Sequence, residues 1–241
     1  MKQIVYSLIL LLLASCGKQK SEQTKTVIVS DTNATNSNKT DEQKKNPNDF
    51  LPKGFVIFEK INGDLNKDGI EDCVLIIKGT DPKQIITDEE RGKLDRNRRG
   101  IIVLFDKKDH FELVVKNENC FSSENEDGGV YAAPELSVEI KKGNLYINYA
   151  HGRYGHQQYN FRYQKSDFEL IGYESSSGGA VIDRETSINF LTKKKLERVN
   201  TNENAKGGDE VFKETWKEIK VNRPIKLSEI EDFDKLDVSV Y

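Results

Sequence analysis

Beyond residue 50 the apolar residues come in short runs, most alternating with polar ones and separated by glycine, asparagine or aspartate. Period two over four to eight residues is the signature of a strand with one buried face. Phe55–Phe58 and Cys73–Lys78 read as strands on either side of an aspartate-rich loop, a β-hairpin. Gly100–Phe105 and His110–Val115, joined by Asp106–Asp109, predict a second hairpin. Leu136–Ile140, Leu145–Tyr149, Tyr159–Tyr163 and Phe168–Gly172 then alternate in succession and predict a β-meander, half buried on one face. Thr186–Leu191 adds a strand that runs into Lys193–Lys195, read as the exposed end of a hairpin.

Helical signals are few. Thr87–Glu90 has the form of a capping box, but Gly92 and the residues after it reduce the expectation to a single turn or a long loop. Val211, Phe212, Trp216 and Ile219 fit one face of a helix, with a strand as the alternative, and Trp216 is expected in the core. Ser228–Glu231 is a capping box opening a short helix that packs Ile230 and Phe233. The fold class is therefore mainly β: an antiparallel meander or sandwich-like domain with short C-terminal helices.

The first fifty residues follow a different pattern. Lys2 precedes the apolar run Ile4–Leu13, which is too short to span a bilayer and reads as the core of a signal peptide. It closes on Leu13, Ala14, Ser15 and Cys16, which resembles the lipobox of bacterial lipoproteins. That resemblance implies that residues 1–15 are removed and that Cys16 carries the lipid, palmitate among its acyl chains. Gly17 stands where an aspartate would retain an enteric lipoprotein in the inner membrane, so an outer-membrane anchor is expected if the source is Gram-negative. Residues 16–49 hold almost no apolar side chain except Val27–Val29 and predict a flexible tether; a first strand at Thr26–Ser30 is the alternative. Residues 50–241 are left as a single domain.

The sharpest chemical signal is the loop between the first two strands. Asp64, Asn66, Asp68 and Asp72 place side-chain oxygens at loop positions 1, 3, 5 and 9, with Gly69 at position 6. Hard oxygen donors at this spacing suit Ca²⁺, and the Ile70 carbonyl adds a further ligand. The helical calcium hand is excluded, because its twelfth position requires glutamate and here holds Leu75. The stretch Gly63–Asp72, set between two strands, resembles the calcium loop of FG-GAP and VCBS type repeats, and that resemblance implies the same ligands. The motif occurs once, so a full propeller is not expected. An Asx-rich turn that binds nothing is the plain alternative.

Charge narrows the partners. The chain has 37 basic and 40 acidic residues, a net charge of −3, which leaves no broad positive field for a phosphate backbone. The five basic residues within Arg91–Arg99 read as a solvated turn, and no nucleic-acid partner is expected. In an exported compartment Cys73 and Cys120 are candidates for a disulfide, with two buried free thiols as the alternative. Glu124, Glu126 and Asp127 form an acidic loop, either a second cation site or a solvated turn. His151, Arg153, Tyr154 and His156 lie among glycines between two meander strands, either a polar binding loop or a turn bonded across the sheet. No nucleophile motif accompanies them, and the chain is not expected to be an enzyme. The function expected is a lipid-anchored envelope module that contacts proteins or glycans, with structural Ca²⁺. The alternatives are a Ca²⁺-dependent envelope hydrolase using His151, Arg153 and His156, and an inhibitor or immunity lipoprotein against a secreted toxin.

Overall fold

The structure, a computed structural model, describes residues 43–126, 133–238 and 240–241. The strands in chain order are β1 (Gln43–Lys44), β2 (Phe55–Gly63), β3 (Asp72–Gly79), β4 (Ile85–Asp88), β5 (Gly92–Asp95), β6 (Arg99–Asp106) and β7 (Phe111–Phe121). They continue as β8 (Glu135–Lys141), β9 (Asn144–Ala150), β10 (Gly155–Gln164), β11 (Asp167–Gly178), β12 (Ile182–Asn189), β13 (Lys194–Asn200) and β14 (Phe212–Glu218). Among the described residues helix appears only as short 3₁₀ turns, and no helix is long and apolar enough to cross a membrane.

Two larger antiparallel sheets result, with a separate small ribbon of β4 and β5. The first has five strands in the order β1-β7-β6-β3-β2; the second has seven in unbroken chain order from β14 to β8. The expected meander is thus present and extends through three further strands. One core joins the sheets: Val74, Ile76, Ile101 and Val103 of the first cluster with Ile147, Tyr149, Tyr159 and Phe161 of the second. Alternation accounts for the inward set, since Leu145, Ile147 and Tyr149 are buried while Asn144, Tyr146 and Asn148 between them are not. Phe233, from the C-terminal segment, closes the core by stacking on Phe121 at 5.0 Å and meeting the edge of Tyr159 at 5.1 Å.

The five-stranded sheet is buried on both faces, which explains why β3 reads as an uninterrupted apolar run. Its second face packs Cys73, Leu75, Ile77, Ile102 and Leu104 under Phe50. Phe50 is fully buried, and β1 pairs with β7 through Gln43 and Glu112, so the fold begins before residue 50 and the tether boundary at 49 is too late. Val27–Val29 and Cys16 lie outside the described residues.

Several local expectations are corrected. Thr87 lies in a hairpin strand, not a helical turn. Residues 212–218 form β14, and Trp216 is 63 % exposed, because at the sheet edge no second layer among the described residues covers its face. The turn at Leu227–Glu229 has Lys226 at its N-cap, with no side-chain cap; Ser228 instead hydrogen-bonds the Asp167 carboxylate, although Ile230 and Phe233 are buried as expected. Of the lysine run only Lys193 and Lys194 are exposed; Lys195 is buried, its Nζ 3.0 Å from the Tyr241 carbonyl and 3.2 Å from Glu197. The basic run is no solvated turn either, since Arg99 is buried and its Nε donates to the Ser122 carbonyl at 2.9 Å.

Candidate functional site

β2 and β3 deliver the aspartate loop as the turn of their hairpin, with Gly63 paired to Asp72 at its mouth. Two residues take the left-handed conformation, Lys67 at φ 66° and Gly69 at φ 85°. At Gly69 there is open space around a would-be side chain, so glycine is required by the backbone angle and not by crowding.

The loop is wound by its own side chains. Asp64 accepts the amides of Lys67 (2.6 Å) and Gly69 (3.0 Å), Asn66 accepts that of Asp68 (2.8 Å), and Asp68 accepts that of Ile70 (2.9 Å). Asp72, fully buried at the start of β3, accepts Leu65 (2.8 Å) and Asn66 (3.2 Å) on Oδ2 and Asp106 (3.2 Å) on Oδ1. Burial pushes its carboxyl above the ordinary carboxylate range, against the pull of these three amides, and the nearby Asp68 carboxylate pushes the same way. Leu65, held at the loop's inner side, is 2 % exposed and belongs to the core shared by both sheets.

The loop also touches the opposite sheet. A side-chain atom placed on Gly63 would lie 2.8 Å from Cγ2 of Ile140 in β8. One placed on Gly143, in the β8–β9 turn, would lie 2.5 Å from Cε of Lys67. The hairpin turn is therefore seated on the edge of the seven-stranded sheet.

Its donors suit a hard cation in kind. Each carboxylate or amide oxygen carries two acceptor sites, so those of Asp64, Asn66 and Asp68 that hold one amide keep one site, and Asp68 Oδ2 accepts no loop amide. Asp72 differs: its Oδ2 is saturated by two amides, and it acts as the buttress of the loop. Among the described residues no three His, Cys, Asp or Glu side chains converge as a ready metal cluster. The oxygens are held by backbone amides, and a cation would draw on their remaining sites.

The other candidates separate. Cys73 and Cys120 are both buried free thiols, Cys73 in the outer cluster of the five-stranded sheet and Cys120 in the shared core, so the sheet stands between them and, of the two readings, the candidate disulfide gives way to two buried thiols. Burial raises both thiols. Glu124 pairs with Lys78, and Glu126 pairs with Arg96 at 3.0 Å while accepting Ser123 Oγ at 2.9 Å. These carboxylates are occupied by cations of the protein itself; Asp127 lies outside the described residues.

In the histidine loop, Arg153 lies over its neighbour Tyr154, with Nη2 donating to the phenol oxygen at 3.1 Å. His156 crosses the sheet to Ser176, Nδ1 to Oγ at 3.0 Å. This pair was invisible in the sequence because its members are twenty positions apart; only the β10–β11 register, which places His156 opposite Ser176, brings them together. Compared with protein families, with curated proteins and with solved structures, the chain shows no match.

Proposed function

We propose that the protein is a binding module of the cell envelope, held to the membrane by a lipid on Cys16, in which the Asp64–Asp72 loop is a Ca²⁺-stabilised clamp between two sheets. The observation that carries the clamp is Leu65: the loop that bears the oxygen donors also inserts this side chain into the core both sheets share. Asp64, Asn66 and Asp68 would hold the ion with the Ile70 carbonyl, and Asp72 would keep the loop's inner strand in place. Bound Ca²⁺ supplies positive charge among Asp64, Asp68 and Asp72, offsetting the mutual repulsion that Asp68 exerts on Asp72. The ion is structural in this reading, and the ligand surface lies elsewhere.

The anchor and the ion are tested separately. Cells expressing the full chain and grown with a labelled fatty acid should yield labelled protein, with the label lost in Cys16→Ser; an unlabelled wild-type chain would end the lipoprotein reading. Calorimetric titration of the full chain with calcium chloride should show one site, abolished in Asp68→Ala. A flat titration would remove Ca²⁺ from the account.

A further inference from the structure

Strand register orders the outward side chains of the seven-stranded sheet in transverse rows. One runs from Asn148 through Gln158, Glu174, Ser187 and Leu196 to Trp216, each residue paired directly with the next. The row stops there because β14 is the last strand of the sheet, and among the described residues no main chain bonds its outer edge.

The bonds at the two ends of β14 fix which main-chain groups line that edge. The Ile219 amide donates to the Lys193 carbonyl, and the Thr201 amide donates to the Val211 carbonyl. All four residues are odd-numbered, and bonded pairs alternate along an antiparallel ladder. The odd-numbered residues of β14 therefore bond β13, while the N–H and C=O groups of Phe212, Glu214, Trp216 and Glu218 point away from it.

Such an edge is a template for another strand, and proteins blunt it with proline, a bulge, charge or a cover. β14 has no proline, its register with β13 is unbroken, and every residue from Lys213 to Glu218 is exposed. Its two lysines lie on the face opposite Trp216, and Lys217 is held by Glu197 at 2.6 Å.

We infer that β14 pairs antiparallel with β14 of a second copy of this chain, joining two seven-stranded sheets edge to edge. Both strands must bond through their outward groups, so each even-numbered residue faces another even-numbered one. With Thr215 on the two-fold axis, Lys213 would oppose Lys217 twice; with Trp216 there, Glu214 would oppose Glu218 twice. With Glu214 on the axis, Phe212 faces Trp216 of the other copy on both sides of it, and Lys213 faces Thr215. Aromatic residues directly opposite each other stabilise an antiparallel ladder, and opposed like charges destabilise it. This register places one like-charged pair within the strand, Glu214 against itself, and Arg198 Nε stands 3.3 Å from each Glu214. The same guanidinium lies 4.5 Å over the Phe212 ring and holds it on the outward face. The outward row then continues from Leu196 through Trp216 to Phe212 of the second copy. Any extended peptide meets the same main-chain groups; the second copy is selected by its side chains, which answer Phe212 with Trp216 and Trp216 with Phe212. The inference depends on neither the calcium loop nor the lipid.

The test is sedimentation velocity of the full chain between about 1 μM and about 1 mM, read together with the emission of Trp216, the only tryptophan. A reversible dimer should form as concentration rises. The emission should move to shorter wavelength in step with it, because the seam covers a ring that is 63 % exposed in one copy. Glu214→Pro removes an outward amide at the centre of the seam and none of the main-chain bonds to β13, a place where an edge strand tolerates proline. It should weaken dimerisation at least about tenfold while circular dichroism shows the fold retained. Trp216→Lys alters only an exposed side chain and should weaken it as much, by setting a cation opposite Phe212. A monomer at every concentration, a dimer that leaves the Trp216 emission unmoved, or undiminished association by folded Trp216→Lys would overturn the inference.

Discussion

Asp72 Oδ2 accepts the backbone amide of Leu65 at 2.8 Å, across seven residues of chain, while the Leu65 side chain is buried between the two sheets. A carboxylate thus positions a core residue by its main chain. In Asp72→Ala the amides of Leu65, Asn66 and Asp106 lose this acceptor together. Each buried unpaired group costs about 1–3 kcal/mol, so a loss above about 3 kcal/mol is expected by chemical denaturation. Leu65→Ala should cost about 2–5 kcal/mol through the cavity it leaves. The two losses should combine sub-additively in the double variant, because they act through one contact.

Gly100 in β6 excludes a side chain for purely steric reasons. A Cβ there would lie 2.3 Å from the carbonyl oxygens of both Asn117 and Glu118, which are backbone atoms of β7 at a register shift. Gly100→Ala should therefore destabilise by about 3 kcal/mol, the upper end of overpacking costs. Gly69→Ala should be milder by the same denaturation measurement, since it meets strain in φ but no collision.

The face of β13 turned away from Trp216 carries charge where an apolar layer would otherwise continue. Lys217 hydrogen-bonds Glu197 at 2.6 Å and holds its carboxyl below the ordinary value of 4.5, against the raising effect of burial and with help from Lys195. A depressed carboxyl contributes stability above its unfolded value and loses it as pH falls through the folded value. Unfolding midpoints should drop below pH 4.5, and Glu197→Gln should flatten that drop. Salt should weaken the effect, because Lys217 is more than half exposed.

Cys73 and Cys120 should remain thiols under oxidising conditions. Mass spectrometry of unreduced protein, alkylated after unfolding, should find both labelled, and alkylation of the native protein should label neither, since burial both shields the sulfurs and raises their pKa. A Cys73–Cys120 linked peptide would contradict the placement of the two residues on opposite faces of the sheet.

How far the sequence led is clearest at particular residues. The meander was legible because the segments from Leu136 to Tyr163 alternate, and alternation is what a sheet with one covered face requires. Trp216 was misplaced because its spacing to Val211 and Ile219 suits a helix equally well, and only pairing with Leu196 decides for a strand. The loop's shape could be read from Asp, Asn and Gly spacing, but not the division of labour by which Asp72 buttresses the turn, since burial of its carboxylate depends on β6 and the Asp106 amide. Nothing local announced the outward rows of the large sheet. Asn148, Gln158 and Ser187 are scattered in sequence and become neighbours only through strand register.

The clamp is tested most directly by thermal unfolding of the full chain in millimolar Ca²⁺ and in chelator, repeated with Asp68→Ala. Ligand at a hundred times its dissociation constant stabilises by about 2.7 kcal/mol, which for a domain of this size is a rise of about 5–10 °C in the midpoint. The account predicts that rise for the wild-type chain, its absence with Mg²⁺ at equal concentration, and its loss in Asp68→Ala. An identical wild-type midpoint in Ca²⁺ and in chelator would contradict it, and the Asp64–Asp72 loop would then be a turn held by its own amides alone.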